Sequence, residues 1–154
     1  MIMYAIEIVE GKDEPPQKPR DPNLRLGKTV ALLLRLCKSI YSRGFVVILD
    51  SGFCVLQGII ELRKRGVFAA AVIKKRKYWP KHVPGDAMDA RMVAKEVGEC
   101  DSLPGTLDGV PYELFVLKDS GYTMKIMSTY GSLLVKDGQK DSVRHYQNSM
   151  GDSA

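Results

Sequence analysis

Asp50 is the carboxylate of this chain best placed to do chemistry. It ends the apolar run Phe45-Val46-Val47-Ile48-Leu49 and is followed by Ser51-Gly52. Two or three acids converging on Mg2+ can activate a water or a 3′-hydroxyl for attack on a phosphodiester. An Asp in this position has a second reading, because a carboxylate after a strand also serves as the N-cap of the next helix. The residues alone leave both readings open.

The second feature with chemical content is Lys74 to His82, KKRKYWPKH. Lys74, Lys75, Arg76, Lys77 and Lys81 can neutralise phosphates, and Trp79, the single tryptophan, can stack on an unpaired base. From Arg63 to Lys81 there are eight basic residues and no acidic one. Such a run suits a polyanion, with nucleic acid the natural partner. It also suits a solvated loop or a nuclear localisation signal, so a nuclear location is the expectation.

Other chemistries lack their residues. There is no GxGxxG after a strand, no GxxxxGKS, no HExxH and no GxSxG. Cys37, Cys54 and Cys100 are widely spaced, with no CxxC and no histidine nearby. They read as reduced thiols, Cys37 and Cys54 on apolar helix faces, rather than as nucleophiles, disulfides or zinc ligands.

The elements that must position Asp50 follow from periodicity. Five β-prone apolar residues without alternation predict a buried strand at 45–49. Cys54 to Arg65 predicts a helix whose Val55, Ile59 and Leu62 share a face with Leu56 and Ile60, stopped by Gly66 after Arg63-Lys64-Arg65. Val67 to Ile73 predicts a second buried strand. Strand, helix and strand with tight glycine junctions make a right-handed βαβ unit. Asp50 then lies at the carboxyl end of a parallel strand, where ligands collect in open α/β sheets.

Upstream, Met3 to Val9 predicts a strand, and Glu10 to Lys28, with four prolines, a loop. Thr29 is a plausible N-cap for a helix over Val30 to Arg43, ended by Gly44. Downstream, Asp86 to Val97 predicts a short helix. Pro111 to Leu117 and Tyr122 to Ser128 predict two strands joined by Lys118-Asp119-Ser120-Gly121. The polar stretch from Val135 onward predicts a poorly ordered tail, so one domain is expected over 1–134, with a β-rich insertion at about 82–130.

Composition agrees with one globular domain. The 154 residues are 45% hydrophobic and 27% charged, with a formal net charge of +5 and a pI near 9.1. No segment reaches the roughly 18 apolar residues of a membrane span. The N-terminus MIMYAIEIVEG lacks the basic region and cleavage site of a signal peptide.

The stretch ILDSGFCVLQGIIELRKRGVFAAAVIKKRKYWPK resembles the transposase domain of piggyBac-type DNA transposons. In that family a strand ends in an Asp followed by small and aromatic residues. A helix then closes on a basic L-x-x-x-G, matched by Leu62 to Gly66. A strand and a basic segment with a proline follow, matched by Phe68 to Lys81. The run Ala94 to Gly98 and the strands from Tyr112 to Ser128 look like the family's variable insertion. The resemblance spans Met3 to about Tyr130.

What the resemblance implies is an α/β, RNase H-like fold: a mixed sheet flanked by helices, with the β-rich insertion after the last parallel strand. It implies a metal-dependent DNA strand-cutting and strand-transfer enzyme that uses Mg2+ and three aspartates, and a homodimer in the intact family. Asp50 matches the second aspartate. The first would precede Met3. The third belongs to a Y-N-x-x-M-G-G-V-D-like segment, whose opening resembles Tyr146 to Ala154. Aligned from Met150, that catalytic position falls on Ala154, and Asp152 stands two residues early. With one matching carboxylate, the chain alone is expected to be inactive in cleavage. The alternatives are a non-catalytic DNA-binding remnant, or an unrelated α/β domain with a basic patch.

Overall fold

The structure, a computed structural model, describes residues 21–74 and 85–130. The strand expected at Met3 to Val9 and the tail from Val135 lie outside the described residues.

Leading in, Pro22–Leu26 forms a short 3-10 helix, with Asp21 Oδ1 accepting the Asn23 N–H at 2.8 Å. Proline at the first position suits this turn, since the missing N–H has no partner there anyway. The first α-helix, α1, covers Lys28–Leu36 and buries Val30, Ala31, Leu33 and Leu34. It begins two residues before the expected Val30, with Gly27 rather than Thr29 at the cap. It also ends before Arg43. Cys37 closes it, Lys38–Ile40 tightens into 3-10 geometry, and Tyr41 turns back so that its hydroxyl donates to Leu34 O at 2.7 Å.

Strand β1 is Val46–Leu49, helix α2 is Leu56–Lys64 and strand β2 is Phe68–Val72. β1 and β2 pair in parallel, Val46 opposite Phe68 and Leu49 opposite Ala71, which gives the expected βαβ unit. The residues of β1 are half-buried rather than fully covered, because among the described strands β1 stands at the sheet edge. α2 buries Gly58, Ile59, Ile60 and Leu62 together with the charged Glu61. Covering one Ile or Leu side chain contributes about 1.5–3 kcal/mol, so burial all round its middle anchors the helix without any side-chain cap at its start.

Helix α3, Gly85–Val93, precedes three antiparallel strands: β3 (Cys100–Leu107), β4 (Val110–Asp119) and β5 (Tyr122–Ser128). The sheet order is β1-β2-β5-β4-β3, so β5 pairs antiparallel with β2 and the β-rich part continues the parallel pair. The result is the mixed α/β sheet expected from the resemblance. α1, α2 and α3 share one core with Ala69, Ala71, Leu114, Val116 and Met127. The opposite sheet face carries a smaller cluster of Ala70, Phe115 and Ile126.

β3 is the element absent from the sequence reading. Asp108 and Gly109 both have positive φ, +50° and +75°, in a two-residue loop between Leu107 and Val110. That is the backbone of a type I′ hairpin, whose twist matches the strands it joins.

Candidate functional site

Asp50 follows the last residue of β1 in extended conformation, with φ −65° and ψ 159°. Its Oδ1 accepts the Ser51 N–H at 2.7 Å, and its carbonyl accepts the Phe53 N–H at 2.9 Å, starting the 3-10 turn Ser51–Phe53. Asp50 thus caps this 3-10 turn and not α2, whose cap position is Val55 with no side-chain bond. The side chain nonetheless stays 79% exposed, and a carboxylate has about four acceptor positions, of which the cap takes one.

Lys74 lies just past the end of β2. Parallel pairing brings the carboxyl ends of β1 and β2 to one edge, and Lys74 Nζ stands 4.0 Å from Asp50 Oδ1. Both groups are largely exposed, so the pair contributes little to stability. Its interest is the juxtaposition of an acid and a cation at the end of two parallel strands. Of the basic residues singled out from sequence, Lys74 is described. Lys75, Arg76, Lys77, Trp79 and Lys81 lie outside the described residues, as does Asp152.

The level ends of the two strands are set at the opposite edge. Ser42 N–H donates to Arg65 O at 2.8 Å, Gly44 N–H to Gly66 O at 3.2 Å and Phe68 N–H to Phe45 O at 2.9 Å. Gly66 has φ +75°, and a Cβ there would meet Ser42 Cα at 2.7 Å. Glycine is required by both the backbone angle and the close approach.

A charge cluster that sequence reasoning missed ties this unit to the β3–β4 turn. Glu61 is 8% exposed. It accepts from Gln57 Nε2 at 3.0 Å, Lys64 Nζ at 2.9 Å and Arg65 Nη1 at 2.6 Å. Asp108 in the turn accepts from Lys64 at 2.9 Å and Gln57 at 3.3 Å. Burial acts to raise the Glu61 carboxyl, but the hydrogen bonds from Arg65, Lys64 and Gln57 outweigh it and hold the group below its ordinary value. The Lys64 bond, then that of Gln57, lowers Asp108 in the same direction. The i, i+3 and i, i+4 spacing of Glu61 with Lys64 and Arg65 carried the signal.

The described residues do not fit a Mg2+ centre. Among them no three His, Cys, Asp or Glu side chains stand where they could share an ion. Asp50 offers one carboxylate, and the charged group beside it is Lys74 rather than a second acid. Cys37 and Cys54 are buried, as expected, and burial pushes the Cys54 thiol up to about 11.

The Transposase IS4 family model matches residues 1–153. The chain belongs to the Transposase IS4 family. Among solved structures it is similar to one described as a cryo-EM structure of piggyBac transposase synaptic complex with hairpin DNA. The TM-score is 0.56 at 15% identity, over 80% of this chain and 25% of that one. The chain thus spans a quarter of the length of that relative and shares its fold. No curated protein matches the chain. Family and fold together bear out the resemblance to a piggyBac-type transposase domain read from residues 48–81. No helix among the described residues is long and apolar enough to cross a membrane.

Proposed function

We propose that this chain is a DNA-binding part of a piggyBac-like transposase and that, alone, it does not cut DNA. The observation that carries the reading is the placement of Asp50 and Lys74 at adjacent carboxyl ends of two parallel strands, 4.0 Å apart. Lys74 opens the basic run that continues through Lys81 in sequence. Lys74 would hold a DNA phosphate beside Asp50, with Lys75, Arg76, Lys77 and Lys81 neutralising its neighbours and Trp79 stacking on an unpaired base. In a complete transposase, metal chemistry would supply cleavage. Here Asp50 brings a single ligand, and no step is assigned to it without the remaining carboxylates. A nuclear location and pairing of two copies belong to the same reading.

The test is DNA binding and nicking by the full chain. Replacing Lys74, Lys75, Arg76, Lys77 and Lys81 together should weaken binding and flatten its salt dependence, by about 0.9 in log–log slope for each phosphate no longer neutralised. Unchanged binding would sink the reading. Mg2+-dependent nicking that Asp50→Asn abolishes would overturn the inactive part of the proposal and assign Asp50 to catalysis. Binding indifferent to Asp50 and Mg2+ would leave a non-catalytic DNA-binding remnant, a reading favoured by the lysine, rather than a second acid, beside Asp50.

A further inference from the structure

Charge is divided unevenly over the described residues. Residues 21–74 hold nine Lys or Arg against three Asp or Glu, whereas residues 85–130 hold four against eight. Internal pairing sharpens the division. In the first part Arg35 takes Asp21, Arg65 takes Glu61, Lys64 is shared between Glu61 and Asp108 of the second part, and Lys74 stands beside Asp50. In the second, Asp89 pairs with Lys125 and Asp101 with Arg91. Arg25, Lys28, Lys38 and Arg43 remain as exposed cations with no acid paired to them among the described residues. Glu96 and Glu99 remain exposed beyond α3.

Lys28 opens α1 and Arg25 stands two residues before its cap Gly27, in the 3-10 helix, whereas Lys38 and Arg43 follow the end of α1. The first two turns of α1 lie beside the first turn of α2, since a Cβ on Gly58 would touch Leu33 at 3.1 Å and Val30 at 3.7 Å. α1 also packs on the Ser51–Phe53 turn, directly after Asp50. From there α2 runs to Gly66 at the other edge, where the Ser42 and Gly44 N–H groups donate to Arg65 and Gly66. Arg25 and Lys28 therefore share the edge of Asp50 and Lys74, while Lys38 and Arg43 belong to the far edge. A nine-residue helix spans about 13 Å. That exceeds the Debye length of about 8 Å at physiological salt, so the two pairs act as separate electrostatic sites.

We propose that Arg25 and Lys28 extend the DNA-contact surface from Lys74 past Asp50 onto the start of α1. The phosphate backbone of duplex DNA then runs from Lys74 across the end of β1 toward α1, while Glu99 and Asp119 stand at the same end of the sheet but on the far side of β5, next to β3 and on β4. This rests on the reading of the chain as a DNA-binding transposase domain, and names a second stretch of the protein that takes part in it.

The experiment is salt-dependent binding of a labelled duplex by the full 154-residue chain, followed by fluorescence anisotropy. Three proteins are compared: wild type, the double variant Arg25→Gln/Lys28→Gln, and the far-edge double variant Lys38→Gln/Arg43→Gln. Both variants carry two fewer positive charges. Removing two phosphate neutralisations lowers the slope by about 1.8, so the affinity drop between about 50 and 200 mM salt shrinks about 12-fold. The near-edge variant should show that change and the far-edge variant should keep the wild-type slope. Equal slopes in wild type and the near-edge variant, or equal slope changes in both variants, overturn the inference while the DNA-binding reading stands. No duplex binding by wild type overturns both. If circular dichroism shows the double variant unfolded, Arg25→Gln and Lys28→Gln singly should each carry about half the change, and no change in either refutes the proposal.

Discussion

Gly66→Ala tests the junction that sets the parallel strands level, and its cost can be worked from two terms. The first is backbone angle: Gly66 has φ +75°, and holding an L-residue in the left-handed region costs about 1–2 kcal/mol. The second is steric. The new Cβ would stand 2.7 Å from Ser42 Cα and 3.0 Å from Ser42 N, both backbone atoms that cannot swing aside as a side chain does. Relief must part the two segments, and the first bond to go is Ser42 N–H to Arg65 O, now 2.8 Å. Breaking such a bond costs about 0.5–1.5 kcal/mol net. The sum is about 1.5–3.5 kcal/mol, a large share of the stability of a domain this size. Urea unfolding followed by circular dichroism should show the midpoint falling by about 1–2 M. Gly66→Asn separates the terms, because Asn tolerates the left-handed angle but keeps the clash. Gly52→Ala is the control: nothing lies within 4 Å of its Cβ position, and the change should stay within about 0.5 kcal/mol. A Gly66→Ala midpoint no lower than that of Gly52→Ala refutes the reasoning.

Three further outcomes are expected from the same geometry. Gly105→Val would drive a Cβ to 2.3 Å from Tyr112 Cζ, whose ring lies across the glycine, so it should lower the urea midpoint more than Thr106→Val on the exposed neighbour. The folded Glu61 carboxyl lies below its ordinary value of 4.5. Its contribution is therefore present above that pH and lost as pH falls through the lower folded value. The stability gap between wild type and Glu61→Gln should narrow from neutral pH to about pH 3, and a constant gap would show that Glu61 is not held down. With a thiol reagent under native conditions, half-buried Cys100 should label before buried Cys37 and Cys54, with all three labelling together in denaturant.

Much of the fold could be read from the chain because its middle obeys simple periodicity. The apolar run before Asp50, the α2 face and the Gly66 stop each have one structural solution, and β1, α2 and β2 fall within a residue or two of them. β3 escaped because Pro104 and Gly105 interrupt it, and both argue against a strand interior. In the structure β3 is an edge among the described strands, where a proline is tolerated, and Tyr112 opposite Gly105 fills the space a side chain would have used. The Asp108-Gly109 pair that closes the hairpin was the available signal. Apolar spacing carries α1 on through Ile40 and Tyr41, yet in the structure Tyr41 leaves the helix and its hydroxyl bonds back to Leu34 O.

The candidate site separates two questions that the sequence merges. That Asp50 stands at a strand end was legible from the run before it, and the structure adds that it caps the next turn. Capping does not compete with ligation, since Ser51 N–H takes one acceptor position on Oδ1 and orients the carboxylate while the side chain stays open to solvent. What decides between an ion and a phosphate at this edge is the next charge, and that depends on register. Leu49 opposite Ala71 sets where β2 ends, and hence that Lys74, not an acid, comes beside Asp50. A sequence motif that counts aspartates cannot see that neighbour. On the proposed reading a phosphate would approach on Lys74, and Asp50 would need further carboxylates before it could hold a metal. Asp50→Asn, which removes a like charge beside the phosphate, should therefore hold or raise DNA affinity, while Lys74→Gln lowers the salt slope by about 0.9. The reverse order of effects would mean that the acid, rather than the lysine, organises this edge.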